Sequence, residues 1–123
     1  MKQKRTVEDY LKTIYLLRTQ NGSARGIDVA EELNVSRPTV SIAIKGLEKE
    51  GYLYTDDTHE IHLTKEGSAI AQATCDRYQT FCRLLIDLGV DKNTAAEDAC
   101  KLEHAVSQKS YEAIKNFAEK SKI

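Results

Sequence analysis

Apolar positions near the start of the chain recur at helical spacing and then stop at a polar segment. The three- and four-residue intervals of an amphipathic helix separate Tyr10, Leu11, Ile14 and Leu17. Thr6, with Asp9 three residues later, has the pattern of a capping box that opens such a helix. The polar segment QNGSARG at 20–26 interrupts the pattern. These positions predict a first helix that begins just after Thr6.

Two shorter helices are predicted next, separated by the tight turn NVS at 34–36. The first covers about 28–33 and carries its apolar residues on one face. In the second, Ser36 is a typical N-cap, Pro38 falls in the first turn, where its missing N–H costs little, and Gly51 ends the helix. Two helices joined by such a short turn indicate a helix-turn-helix.

Short β-prone runs follow the second of these helices. YLYT at 52–55 and EIHLT at 60–64 flank the polar turn DDTH, which is the pattern of a β-hairpin. A hairpin in this place is the wing of a winged helix-turn-helix. The wing is acidic where many wings carry Lys or Arg, so we expect it to add little to DNA affinity.

Three helices are predicted in the C-terminal half. The first runs from an N-cap at Thr64 to about residue 88. Thr94 and Glu97 form a capping box that opens the second, and Ser107 caps the third. The apolar surface of these helices exceeds what they can bury as a single layer. We therefore expect a dimer interface, which suits a helix-turn-helix protein because such proteins usually bind paired half-sites.

The composition favours a soluble protein of the cytoplasm. The chain has 123 residues, of which 41% are hydrophobic and 30% are charged. No apolar run approaches the roughly 20 residues of a membrane helix, and the N-terminus lacks the apolar core of a signal peptide. Three cysteines are too few for a disulfide framework. The net charge of −1 does not by itself indicate a nucleic-acid binder.

The helix that follows the NVS turn is predicted to enter DNA. Residues at the N-terminal end of such a helix reach base edges in the major groove. The candidate DNA-binding residues there are Ser36, Arg37, Pro38, Thr39, Ser41 and Lys45. Arg37 suits a guanine or a phosphate, Pro38 a thymine methyl, and the hydroxyls phosphates. The alternative is an ordinary solvated helix face, or a winged helix used only for protein contacts.

Three metal-capable side chains lie close together in ACKLEHAVS at 99–107. On a helix Cys100, Glu103 and His104 share one face, so that thiolate, carboxylate and imidazole can reach one ion. The alternative is an ordinary helix with a packed cysteine and a surface glutamate. A catalytic Cys100–His104 pair is disfavoured because no oxyanion-hole loop accompanies it, so we do not expect an enzyme.

Several strings together resemble the diphtheria toxin repressor and manganese transport regulator family. They are VEDYLKTIYLL at 7–17, PTVSIAIKGLEKEGYL at 38–53, LTKEG at 63–67, and LGVD with EDACKLEHAVS between 88 and 107. The resemblance implies a homodimeric repressor that binds double-stranded operator DNA when Fe²⁺ or Mn²⁺ joins the first helix to the fifth. It is to the short form of the family, without the C-terminal β-barrel domain.

The resemblance also implies a set of metal ligands. Cys100, Glu103 and His104 match the iron-type pattern, whereas Asp9 lies where manganese-type members use Asp. The family has ligands where this chain has Lys12 and Tyr78, and ligands of a second metal near Cys82 and Ala96, so one metal per subunit is expected. Zn²⁺ or Co²⁺ is expected to substitute in vitro.

The sequence thus predicts a mainly α fold with a small β-hairpin. An N-terminal winged helix-turn-helix domain at 1–66 would bind DNA, and a helical domain at 67–123 would dimerise and bind metal. The predicted function is a metal-responsive transcriptional repressor. The alternative function is a metal-independent winged-helix regulator that senses thiol oxidation or a small molecule, which the changes at Lys12 and Tyr78 favour.

Overall fold

The structure, a computed structural model, describes residues 4–120. The described residues form six helices and one two-stranded antiparallel hairpin. In chain order these are α1 (Lys4–Asn21), α2 (Gly26–Leu33), α3 (Arg37–Lys49), β1 (Leu53–Thr55), β2 (Ile61–Leu63), α4 (Lys65–Asp87), α5 (Lys92–Ala105) and α6 (Gln108–Lys120). The predicted fold class, mainly α with a small hairpin, is therefore confirmed. None of the described helices is long and apolar enough to cross a bilayer.

The chain divides into two compact units, a first up to Gln72 and a second from Ala73 onward. In the first unit the predicted apolar faces of α1, α2 and α3 meet the inner face of the hairpin. Its largest fully buried apolar side chains are Leu11, Ile14, Val29, Val40, Leu47, Leu53 and Ile61. Full burial stabilises each of them by roughly 1.5–3 kcal/mol relative to exposure.

The hairpin is short and is fixed to the helices at both ends. Leu53 pairs with Leu63 and Thr55 with Ile61, and the Ile61 N–H also donates to the Ala24 carbonyl at 2.8 Å. At the other end Gly67, in the first turn of α4, lies directly against the Tyr52 carbonyl, where any Cβ would clash. This contact sets the direction in which the chain leaves the wing.

The predicted start of the first helix is wrong. The described chain is already helical at Lys4, so Thr6 lies inside α1 and is not its N-cap. Lys4 and Arg5 are good helix formers and extend the helix past the threonine. Asp9 is therefore a residue of the second turn and makes no capping box with Thr6.

The predicted N-cap of the fifth helix is also wrong, whereas the predicted N-caps of the fourth and sixth helices are confirmed. Asp91 caps α5, because its side chain accepts a hydrogen bond from the Thr94 N–H at 3.0 Å. This bond holds the pKa of Asp91 below its usual value. Thr64 caps α4 and Ser107 caps α6, as predicted, by accepting from the Gly67 and Ser110 N–H groups at 3.2 Å.

The second unit packs around a small aromatic core. The rings of Phe81 and Tyr111 meet edge to face with centroids 5.8 Å apart, and Ala99 is buried beside them. Arg77 lies over the Tyr111 ring and donates to the Val106 carbonyl. Large apolar side chains remain on the surface, as the sequence predicts: Ile86, Leu88 and Phe117.

Candidate metal centre and nucleic-acid interface

All six predicted DNA-contacting residues lie on the exposed surface at the start of α3. The buried residues Val40, Ala43, Ile44 and Leu47 hold the opposite face of this helix in the core. Because that face is fixed, the other one is presented to solvent with Ser36, Arg37, Pro38, Thr39, Ser41 and Lys45 all exposed. The arrangement suits insertion into a major groove, which admits one helix.

Ser36, one of the predicted DNA-contacting residues, is also the N-cap of α3. Its Oγ accepts a hydrogen bond from the Thr39 N–H at 3.2 Å and lies 2.7 Å from Thr39 Oγ1. The serine oxygen thus satisfies one of the free N–H groups of the first turn, as predicted for an N-cap. Because one of the two hydroxyls donates to the other, one O–H of the pair remains to donate to a phosphate oxygen.

An open groove of about 750 Å³ separates α3 from the wing. Arg37 and Lys45 line it from the helix, and Thr55 and His59 line it from the hairpin. The groove also contains Glu48, so its charge is mixed rather than uniformly basic. Its two cations lie on the helix, which makes α3 the main source of positive charge for a phosphate backbone.

The acidic side chains of the wing are largely used inside the first unit. Asp56 Oδ1 accepts hydrogen bonds from the Thr58 N–H, the Thr58 hydroxyl and the Glu60 N–H at 2.8–3.0 Å. Its Oδ2 lies 2.8 Å from His62 Nε2. The hydrogen bond from His62, followed by that from Thr58, holds the pKa of Asp56 far below its usual value. The carboxylate therefore organises the turn.

The rest of the wing is tied to α1 and to the start of α2. Arg18 lies 3.8 Å from the Glu60 carboxylate and donates to the Ile61 carbonyl at 3.0 Å. Arg25 donates to the Thr58 carbonyl at 2.6 Å. Carboxylate and imidazole atoms of Asp56, Glu60 and His62 all lie within 4.8 Å of one another. Because these groups already bond to the hairpin and to Arg18, we interpret the cluster as structural.

Glu103 and His104, both on α5, form the buried part of the predicted metal site. Their side chains are 1% and 5% exposed, and Glu103 Oε2 lies 3.3 Å from His104 Nε2. Two ligands bound to one divalent transition ion at roughly 2.1 Å are separated by roughly 3.0–3.4 Å, so the two atoms fit a shared ion. Carboxylate oxygen and imidazole nitrogen are also suitable donors for Fe²⁺ and Mn²⁺.

Cys100 lies one turn earlier on α5 and is exposed. Its neighbourhood includes Tyr78 of α4, whose pKa is raised first by burial and then by the nearby Cys82 and Cys100 thiols and the Glu103 carboxylate. The Tyr78 phenol therefore stays neutral at ordinary pH. A neutral phenol adds no charge beside these groups.

Asp9 belongs to the first unit, where it is half-buried on α1, and Lys12 follows one turn later. The assignment of Asp9 as a metal ligand stays a prediction. So do the assignments of Cys100, Glu103 and His104, and the roles of the six α3 residues.

A large apolar residue on the exposed surface of α3 is missing from the predicted set. Ile42 is 68% exposed and lies four residues after Pro38 and three before Lys45, on the same face. Ile42 lies between Ser41 and Ala43 in a run rich in apolar residues, which is the sequence pattern of a core position. Its distance of two residues from Val40 and Ile44, which are buried, is the signal that places it opposite the core.

Comparison with known proteins finds two family models that match successive parts of the chain. Residues 3–59 match the iron dependent repressor N-terminal DNA binding domain. Residues 64–122 match the iron dependent repressor metal binding and dimerisation domain. The two matches together cover nearly the whole sequence.

Individual relatives are similar over most of the chain. An uncharacterized HTH-type transcriptional regulator of Methanocaldococcus jannaschii, MJ0568, is 37% identical over 119 residues, which are 95% of each chain. The transcriptional regulator MntR of Salmonella typhimurium is 35% identical over 92% of this chain and 72% of its own. The solved structure of the manganese regulator SloR has a TM-score of 0.80 at 30% identity, over 97% of this chain and 55% of that one.

These matches favour the metal-dependent function over the alternative of a metal-independent regulator. The structural neighbours share the winged helix, and the second family match is itself to a metal-binding and dimerisation domain. The chain therefore belongs to the iron-dependent repressor family and is a metal-dependent, DNA-binding transcriptional repressor that acts as a homodimer.

Proposed function

We propose that this chain is a cytoplasmic repressor in which Asp9, Cys100, Glu103 and His104 bind one Fe²⁺ or Mn²⁺ ion per subunit. A DNA-binding domain at 1–66 then reads a double-stranded operator, and a domain at 67–123 carries the dimer contact and three of the four ligands. The protein is then a regulator rather than an enzyme. Cys100 and His104 act as metal ligands and not as a catalytic nucleophile and base.

The buried pair on α5 is the observation that carries this proposal. A carboxylate that is 1% exposed is expensive to keep ionised unless a cation or strong donors compensate it. The imidazole nitrogen 3.3 Å away is neutral as a metal ligand and therefore supplies a lone pair rather than a positive charge. Both atoms are thus suited to the same cation.

The proposed ligands differ in chemical softness. Asp9 and Glu103 contribute hard carboxylate oxygens, which suit Mn²⁺, whereas Cys100 contributes a soft thiolate, which suits later metals. The bound ion supplies positive charge and a common coordination centre for these four side chains. Zn²⁺ and Co²⁺ are expected to bind in vitro at least as tightly, by the usual order of divalent affinities.

The position of the ligands along the chain connects metal binding to DNA binding. Asp9 lies on α1, whose apolar face packs in the same core as the recognition helix α3, whereas the other three ligands lie on α5. Sharing one ion makes these elements hold a single arrangement, and in a dimer that arrangement sets the spacing of the two α3 helices. By linkage, operator DNA must then tighten metal binding by the same factor.

In DNA binding, the residues at the start of α3 contact different parts of the duplex. Arg37 suits a guanine edge or a phosphate, and Lys45 suits a phosphate. Ser36, Thr39 and Ser41 offer hydroxyls to the backbone beside the N–H groups of the helix start, and Pro38 offers an apolar contact. These assignments are supported by the exposure of all six residues.

Anaerobic Co²⁺ titration, followed by absorption spectroscopy, tests the ligand set. The parent is expected to develop a thiolate-to-metal charge-transfer band that saturates at one ion per subunit. Cys100→Ser should abolish the band, while Cys75→Ser, a matched change at a buried thiol of α4, should retain it. A saturable band that survives Cys100→Ser would contradict the assignment of this cysteine, and absence of any binding would contradict the proposed site.

A further inference from the structure

Ile42 is the most exposed of the large apolar side chains that the structure describes in the first unit. It is 68% exposed, compared with 50% for Tyr54, 44% for Ile27 and 39% for Val35. It lies in the middle of α3, on the side opposite the buried Val40 and Ile44. The core of the unit therefore does not account for its apolar character.

The helix itself does not account for this residue either. Isoleucine is a weaker helix former than alanine or the long polar residues, because its branched Cβ restricts χ1 against the preceding turn. At a solvated position in the middle of a helix, a lysine or glutamate would serve the local structure better. An exposed isoleucine here is best explained by a contact that forms outside the monomer.

The surroundings of Ile42 indicate what that contact is. Pro38 precedes it by one turn, and Lys45 follows it by one turn on the same face, with Arg37 at the start of the helix. An apolar centre bordered by cations suits a DNA groove, where base edges lie between two negatively charged backbones. A protein partner would more often present a wider apolar surface than a single side chain and a proline.

Given the DNA-binding function proposed above, on which this inference rests, we propose that Ile42 reads the C5-methyl group of a thymine in the operator. Among the unmodified base edges of the major groove, thymine alone presents a methyl group, and apolar side chains recognise it by direct contact. Because the χ1 angle of isoleucine is restricted, its methyl groups are held in place before DNA binds. Ile42 thus specifies sequence without a hydrogen bond.

The experiment begins with a duplex selected by the metal-loaded full chain from a random DNA pool. Each thymine of the selected site is then replaced by deoxyuridine in turn, which removes one methyl group and leaves the pairing edge unchanged. Burial of one methyl is worth about 0.8 kcal/mol, which is roughly fourfold in affinity. We expect one thymine per half-site to show this loss with the parent protein.

Variants of Ile42 test whether this side chain is the one that contacts the methyl group. Ile42→Ala should bind the thymine and deoxyuridine duplexes equally at that position, and Ile42→Val should retain most of the discrimination. Ile27→Ala, a matched loss of exposed isoleucine on α2, should behave like the parent. Circular dichroism checks that the variants keep the parental fold, as expected for an exposed position.

Two outcomes would overturn the inference. One would exclude only the role of Ile42, and the other would exclude the proposed DNA recognition as well. If the parent selects a site but Ile42→Ala keeps every thymine preference, Ile42 does not read a methyl group and the repressor function stands. If the metal-loaded parent selects no sequence from the pool, the proposed DNA recognition fails together with the role of Ile42.

Discussion

Glu103 and His104 are consecutive on α5, yet Oε2 of the carboxylate and Nε2 of the imidazole lie 3.3 Å apart. Consecutive residues of a helix point about 100° apart around its axis, so their side-chain ends usually diverge. Here the two ends converge, and both side chains are at least 95% buried. The proposed metal function follows from this convergence, and the predictions below test its parts.

Removing the charge of Glu103 should remove the stabilisation that metal provides. At a metal concentration one hundred times the Kd, binding raises the free energy of unfolding of the parent by about 2.7 kcal/mol. Glu103→Gln should gain much less, because a neutral amide oxygen is a weaker ligand than a carboxylate. Urea unfolding with and without Mn²⁺ measures the gain, with Glu97→Gln, an exposed change on α5, as the control. If Mn²⁺ raises the free energy of unfolding of Glu103→Gln as much as that of the parent, Glu103 is not a metal ligand.

Lys45 should contribute to affinity through charge rather than sequence. Loss of one phosphate contact lowers affinity for all DNA sequences alike and reduces the slope of log K against log salt by about 1 per subunit. Operator titrations of Lys45→Ala at several salt concentrations measure that slope, and Lys109→Ala on α6 is the matched control. A changed base preference with an unchanged salt slope would show that Lys45 contacts a base instead.

The wing should lose stability on the acid side through Asp56. Its hydrogen bonds with His62 and Thr58 lower the pKa in the folded state, whereas the unfolded-state pKa is about 3.9. A lowered folded-state pKa means that the contribution is fully present above about pH 5 and is lost as pH falls below about 4. Asp56→Asn should therefore flatten the dependence of stability on pH in that range.

The neighbouring Asp57 provides the control for the wing. Asp57→Asn changes an exposed carboxylate that receives none of the hydrogen bonds described for Asp56. Thermal unfolding between pH 2.5 and 6 compares the three proteins. If Asp56→Asn and the parent lose stability in parallel as pH falls, the turn does not depend on the Asp56 carboxylate.

Ser36 should matter for folding even without DNA. Loss of an N-cap oxygen typically costs about 1 kcal/mol, because the N–H of the third residue then lacks its partner in the first turn. We expect Ser36→Ala to lower the free energy of unfolding by about this amount, and Ser41→Ala, on the exposed surface of α3, to change it by less than about 0.5 kcal/mol. Urea unfolding of both variants decides whether the cap is needed.

The fold was predictable where a local pattern is decisive. The tight turn at 34–36, the cap at Ser36 and Pro38 in the first turn determine the helix-turn-helix almost by themselves, and Gly51 ends its second helix. Caps were less predictable where two candidates compete within a few residues. Asp91 caps α5 although Thr94 and Glu97 have the capping-box spacing, because the aspartate lies at the position from which its oxygen reaches the Thr94 N–H.

The candidate site was predictable in composition but not in geometry. Because Glu103 and His104 are adjacent in the sequence, both were predictable on one helix, whereas their 3.3 Å separation and their burial depend on side-chain conformation and tertiary packing. The role of Asp56 in folding the wing was not predictable, because it depends on partners up to six residues away across a hairpin. Ile42 was missed although its offset of two residues from the buried Val40 and Ile44 places it on the opposite face of the helix.

The most direct test of the central claim is the affinity for a selected operator duplex, measured by fluorescence anisotropy under anaerobic conditions. The parent and His104→Ala are each titrated with Mn²⁺, with Fe²⁺ and with chelator. The account predicts that either metal tightens binding by the parent and leaves His104→Ala at the affinity seen with chelator, while circular dichroism shows both proteins folded. Equal affinity of the two proteins for the operator, with metal present, would contradict it.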